Sequence, residues 1–187
     1  LEISSKDYKK FLSINPMYNK ERVLSDQKIS IANVKLSNLK EKTSTQEAFG
    51  NLLYELGKGT DASINRIVTT SPDVTVSTNL GGWVNQRNIF RHENKDDLFK
   101  KKKVFSAQKW KYSQNGQHIE LGIAENNLFL LLATLGISDR LFGVRLLPIG
   151  TIYDTFIGRG LDALNYATYI DARFILVGTP SGITLSH

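Results

Sequence analysis

The sequence predicts an α/β domain, a doubly wound, mainly parallel sheet with helices on both faces. Two observations carry that expectation. Strand-like and helix-like segments alternate from Ser44 to Gly178, which is the order that builds a parallel sheet. Residues 173–178 read Arg-Phe-Ile-Leu-Val-Gly, the near-continuous apolar run of a strand covered on both faces.

The elements follow in chain order. Residues 5–12 predict a short helix that stops before Pro16. Residues 18–42 are polar and weakly periodic, so residues 1–42 read as a linker or entry segment. The domain proper, 43–187, opens at Ser44, whose hydroxyl precedes Glu47 by the three residues of a capping box. Phe49, Leu52, Leu53 and Leu56 recur at helical spacing, and Gly57 and Gly59 close that helix. Residues 65–70 read as a strand, ended by Ser71-Pro72-Asp73. Residues 79–111 read as a long, mobile surface insertion, with Gly81-Gly82, two charge clusters and few apolar positions. A short strand at 118–122 leads to an apolar helix at 124–135, ended by Gly136. Residues 142–149 then predict a strand, 151–170 a long helix, and 173–178 the last strand. Ligands of such sheets bind beyond the carboxyl ends of the strands, where 71–73, 122–125 and 178–187 stand.

Composition narrows the chemistry. There is no cysteine, which excludes disulfides, zinc–thiolate sites and thiol nucleophiles. That suits a reducing, cytoplasmic location, which is the expected one. No apolar run is long enough to span a bilayer, so no membrane partner is expected. The first residue is not methionine, so the chain is expected to be a fragment or a processed product. Residues 1–111 carry 20 Lys/Arg against 12 Asp/Glu, whereas residues 112–187 carry 4 against 6. The basic excess therefore lies in the first part, with one tight cluster at 100–103. Such a cluster serves either a nucleic-acid binder or a solvated loop. The aromatic and glycine signals of RNA modules are missing, so the loop reading is preferred and no nucleic-acid partner is expected.

Taken one at a time, the candidate site residues have ordinary explanations. Glu125 is an acid in the first turn of a helix, where the dipole favours it. Tyr153 and Phe156 stand three apart on one face of the predicted helix, as core residues do. Asp73 after Pro72 is a natural turn residue. His92, His118 and His187 are scattered, and Gly158-Arg159-Gly160 is too short for a nucleotide fingerprint.

Their joint order is less ordinary. Residues 116–126, Gly-Gln-His-Ile-Glu-Leu-Gly-Ile-Ala-Glu-Asn, closely resemble the signature of the pyrimidine domain of the transketolase superfamily of thiamin-diphosphate enzymes. Residues 71–79 resemble its Ser-Ala-Asp-Leu-Thr-Pro-Ser-Asn pattern, with one residue inserted before the asparagine. Residues 148–156 resemble the segment that carries the aromatic wall of the pyrimidine pocket. Residues 178–187 look like the loop leading to its Glu-x-Gly-x-x-His stretch. The resemblance covers roughly 43–187. It departs from transketolase proper at Gln46, where an arginine is usual, and at Ala124-Glu125-Asn126, where Arg-Glu-His is usual. Both departures remove groups suited to a sugar phosphate. Ser44-Thr45-Gln46-Glu47-Ala48-Phe49, the Gly116-Gln117 start and the Tyr153/Phe156 pair are closer to the homodimeric E1 component of pyruvate dehydrogenase.

The resemblance implies a thiamin-diphosphate-binding fold, with Glu125 as the coenzyme-activating carboxylate. It implies coenzyme contacts for Tyr153, Phe156, Asp73 and Ile123, and a substrate contact for Ser77. It implies pyruvate decarboxylation with acetyl transfer to a lipoyl group, or alternatively two-carbon ketol transfer between sugar phosphates. The diphosphate and its Mg2+ would be held by another domain with a Gly-Asp-Gly motif, which this sequence lacks. The expected partners are that cofactor domain, in the same protein and in the second subunit of a homodimer, and a lipoyl-bearing E2 component. On this reading the chain is a C-terminally truncated fragment and inactive alone. A reading of another class is a non-catalytic α/β binding module that uses the basic loop.

Overall fold

The fold was described from a computed structural model, in which residues 3–14, 30, 42–93, 102 and 109–180 are placed. A helix, α1 (Ser5–Ile14), starts at Ser4, whose hydroxyl accepts from the Asp7 amide at 3.1 Å. It buries none of its residues. Helix α2 (Thr45–Lys58) begins at the predicted capping box, with the Glu47 amide 3.1 Å from Ser44 Oγ. A short 3-10 turn, Ile64–Arg66, leads into strand β1 (Ile67–Ser71). Helix α3 (Gly81–Arg87) and strands β2 (Ile89–Phe90), β3 (Tyr112–Ser113) and β4 (His118–Glu120) follow. Then come α4 (Glu125–Gly136), α5 (Ser138–Phe142), β5 (Leu147–Tyr153), a 3-10 segment (Asp154–Gly160), α6 (Leu161–Tyr169) and β6 (Ile175–Thr179).

The six strands form one sheet in the order β3-β2-β4-β1-β5-β6, and every recorded pair is parallel. The α/β class is therefore as the alternation predicts. Helices cover both faces. Ile149 belongs to a core cluster with Leu53 of α2 and Trp83 and Val84 of α3. Ile152 belongs to a second cluster with Leu128, Phe129 and Leu132 of α4 and Ala163 of α6. Residues three apart on one strand point to opposite sides, so the two clusters lie on opposite faces of the sheet.

The topology also places a crevice. From β1 the chain runs over α3 toward β2 on one side of the sheet. From β4, hydrogen-bonded to β1, it runs over α4 and past β1 to β5 on the other side. The connections leaving β1 and β4 diverge, which makes the carboxyl ends of these two strands the switch point where α/β sheets bind ligands.

Three local expectations are corrected. The insertion at 79–111 is not a loop throughout. Leu80, Trp83 and Val84 are fully buried and form, with Leu53, the core under α2. Their spacing is helical, but Gly81-Gly82 obscures it because two glycines weaken a helix by about 1 kcal/mol each. Gly82 is needed for packing: a Cβ there would stand 3.1 Å from the Cβ of Tyr54. The strand predicted at 142–149 starts instead at Leu147, after a helical turn closed by Gly143 in the left-handed conformation, φ 69°. The helix predicted from 151 begins only at Leu161. Thr151, Ile152 and Tyr153 continue β5, as their branched and aromatic side chains favour. Most of the linker, most of the basic cluster at 100–103, and residues 181–187 lie outside the described residues.

Candidate functional site

Two polar clusters occupy the carboxyl edge of the sheet. The first is built by residues two apart on adjacent strands. Thr69 pairs in register with His118, and Ser71 with Glu120. Alternation along each strand sends all four side chains to the same face as Ile67, the face of α2 and α3. The loop after β1 then brings Thr75 over them.

Thr75 is the hub. Its hydroxyl contacts Glu120 Oε2, Ser71 Oγ at 2.7 Å and His118 Nε2 at 2.9 Å. The carboxylate can only accept, so Thr75 donates to Glu120 and accepts from Ser71 and from His118 Nε2–H. His118 Nδ1 is hydrogen-bonded to Thr69 Oγ1 at 2.9 Å. His118 is fully buried, and each ring nitrogen has a partner. Glu120 Oε1 accepts from the amides of Asp73 at 2.8 Å and Leu121 at 3.1 Å. Burial pushes the Glu120 carboxyl up, but the nearby His118 imidazole, 3.6 Å away, and hydrogen bonds from Thr75 and the Asp73 amide outweigh it and hold the group below its ordinary range.

The second cluster lies where α4 begins and β5 runs into the 3-10 segment. Gly122, at φ 68°, turns the chain out of β4, in a region of backbone space that a side chain would strain. The turn leaves Ile123 81% exposed and starts α4 at Glu125, which is only 9% exposed. The carboxylate of Glu125 is held by the guanidinium of Arg159 through Oε1. The same guanidinium lies over the ring of Phe156, 3.9 Å from its centroid. Phe156 meets Tyr153 edge-on, with centroids 6.0 Å apart. Glu125, Arg159, Phe156 and Tyr153 therefore form one connected group.

The predicted site residues thus fall in two places. Arg159 links Glu125 to Phe156, and Phe156 in turn meets Tyr153. Tyr153 and Phe156 do not share a helix face: Tyr153 ends β5 and Phe156 sits in the 3-10 segment. Asp73 and Ser77 stand in the loop after β1. Asp73 is exposed, at φ 62°, and gives its amide to Glu120. Ser77 is exposed and its carbonyl accepts from Gln46 Nε2 at 2.6 Å. Among the described residues no group of three or more His, Asp or Glu is placed to hold a metal ion.

Sequence reasoning passed over Arg159 and the whole Thr75 cluster. A signal for the cluster existed. Polar residues at i and i+2, Thr69/Ser71 and His118/Glu120, share one face of two predicted strands. For Arg159 no comparable signal existed, because its partner lies 34 residues away in sequence. Neither a protein-family model nor a curated protein sequence matches the chain.

Proposed function

We propose that this chain carries the aminopyrimidine-binding, coenzyme-activating part of a thiamin-diphosphate enzyme of the transketolase superfamily, with pyruvate as the substrate to test first. The observation that carries the reading is the connected group of Glu125, Phe156 and Tyr153 at the carboxyl edge of a parallel sheet. It pairs a buried carboxylate with an aromatic wall, the two features a planar, nitrogen-rich ring needs for recognition at its edge and its face. The residues fit the group, since the carboxylate and the Phe156 face already hold a planar N–H donor, the Arg159 guanidinium.

When bound, the coenzyme supplies the carbon nucleophile and the electron sink that 2-keto acid cleavage requires. The chain's own residues hold and orient it. Glu125, fixed by the first turn of α4, offers its carboxylate to a ring nitrogen and governs the proton there. Phe156 and Tyr153 hold the ring by contact and shape. Glu120 is proposed as a support that fixes the loop after β1 through the Asp73 amide, so that Asp73 and Ser77 face the same edge. The diphosphate and Mg2+ are assigned to a different domain, and a lipoyl-bearing component accepts the acetyl unit.

The test is Glu125→Gln in the whole protein, assayed for thiamin-diphosphate- and Mg2+-dependent turnover of pyruvate, and of xylulose 5-phosphate in parallel. The variant is expected to keep its fold and lose most turnover, roughly a hundredfold or more, as befits a lost general acid–base group. Near wild-type turnover refutes the role of Glu125. Activity with the sugar phosphate alone moves the protein to the transketolase branch.

A further inference from the structure

The carboxylate and the aromatic face of this site already have an occupant. The Arg159 guanidinium is a planar cation that gives an N–H to Glu125 and has its central carbon 3.9 Å from the Phe156 ring centroid. Those are the two contacts an amidine-type heterocycle makes: an N–H edge toward a carboxylate and a π face toward an aromatic ring. The site takes the arginine in the way it would take a ligand.

We propose that Arg159 is a built-in, displaceable occupant of the Glu125–Phe156 site, and that a planar amidine-type ligand binds by exchanging with it. The identity of the ligand as an aminopyrimidine rests on the proposed function; the exchange itself does not. The burial of the parts gives the direction. Glu125 is buried and anchored at the start of α4, and Phe156 packs against the α4 core. The Arg159 side chain is 54% exposed, so it is the member free to leave. Its neighbour Gly158 has open space around it, with nothing within 4 Å of a built Cβ. On leaving, the guanidinium moves into water at little cost, while the buried carboxylate gains the ligand's donor. The exchange also sets specificity. A ring without an in-plane N–H cannot replace the bond it breaks, and an anionic ring would face Glu125 directly.

The experiment uses the 187-residue chain with three probes at millimolar concentration: 4-amino-2-methylpyrimidine, benzamidine, and n-butylammonium as a non-planar cation. Affinities are read from shifts of the Phe156 and Tyr153 ring protons by nuclear magnetic resonance. Arg159→Ala, and Arg159→Met, which keeps an apolar stem over Phe156, are expected to bind both planar probes about tenfold more tightly than the wild type, from the exposed ion pair and cation–π contact no longer to be broken. Adding Glu125→Gln to Arg159→Ala should abolish that gain. Tightening of benzamidine alone upholds the exchange and refutes the aminopyrimidine reading of the site. Unchanged, weaker or undetectable binding of both planar probes in both variants overturns the proposal, since Arg159 would then position Glu125 instead of standing in for its ligand. An equal gain for n-butylammonium also overturns it, because simple removal of a positive charge would account for the effect.

Discussion

Replacing Thr75 by valine keeps the side-chain shape and removes the hydroxyl that joins Ser71, His118 and Glu120. The cost follows from what each partner loses. Glu120 Oε2 loses one donor, but its Oε1 keeps the Asp73 and Leu121 amides and its side chain is 27% exposed, so water can serve Oε2. Ser71 Oγ can turn to Glu120 Oε2, already 3.4 Å away. His118 has no such recourse. It is fully buried, and after Thr75 its Nε2–H has Glu120 Oε2 at 3.6 Å, beyond good hydrogen-bond distance. One buried donor left unsatisfied costs about 2 kcal/mol. For a chain of this size that lowers Tm by roughly 4–8 °C. Urea unfolding followed by circular dichroism at neutral pH measures it, with Thr75→Ser as the control that keeps the hydroxyl and should lose less than about 1 kcal/mol. A valine variant within about 0.5 kcal/mol of the wild type would refute the assignment of Thr75 as the sole acceptor for His118.

Two further predictions come from the same edge. Gly122→Ala should cost about 1–2 kcal/mol in urea unfolding, because φ 68° strains any residue with a Cβ. The space around that Cβ is open, so the loss should be backbone strain alone, and a loss of similar size is expected for Gly122→Ser. The Glu120 carboxyl makes stability pH-dependent. Its folded value lies below the ordinary 4.5, so its contribution is complete above the unfolded value and is lost as pH falls through the folded one. Acid unfolding of the wild type should therefore lose stability across that window, and Glu120→Gln should start less stable at neutral pH and lose less on acidification. Parallel acid curves for the two proteins would contradict the assignment.

The legible parts of the fold were those with short-range causes. Ser44 Oγ satisfies the helix-end amide of Glu47 within one turn, so the start of α2 could be read from four residues. Gly122, the apolar run that follows and Gly136 bracket α4 in the same way. The misread parts had causes elsewhere in the chain. Thr151-Ile152-Tyr153 is compatible with helix or strand, and pairing with β6, from Thr151↔Val177 to Tyr153↔Thr179, decides for strand. The short α3 gains its order from Leu53 across the core, not from its own two glycines.

The candidate site divides along the same line. Glu125 at a strand-to-helix turn and an aromatic pair downstream are properties of the sequence, because local turn chemistry and residue type determine them. That Arg159 closes on Glu125 over Phe156, and that Ser71, Thr75, His118 and Glu120 form one network at the switch point, only the tertiary structure decided. The partners in those contacts lie mostly 34 to 49 residues apart. Such contacts depend on strand order and register, which follow from packing the whole sheet against helices on both faces; the i, i+2 spacing along one strand shows a shared face but does not name the partner strand.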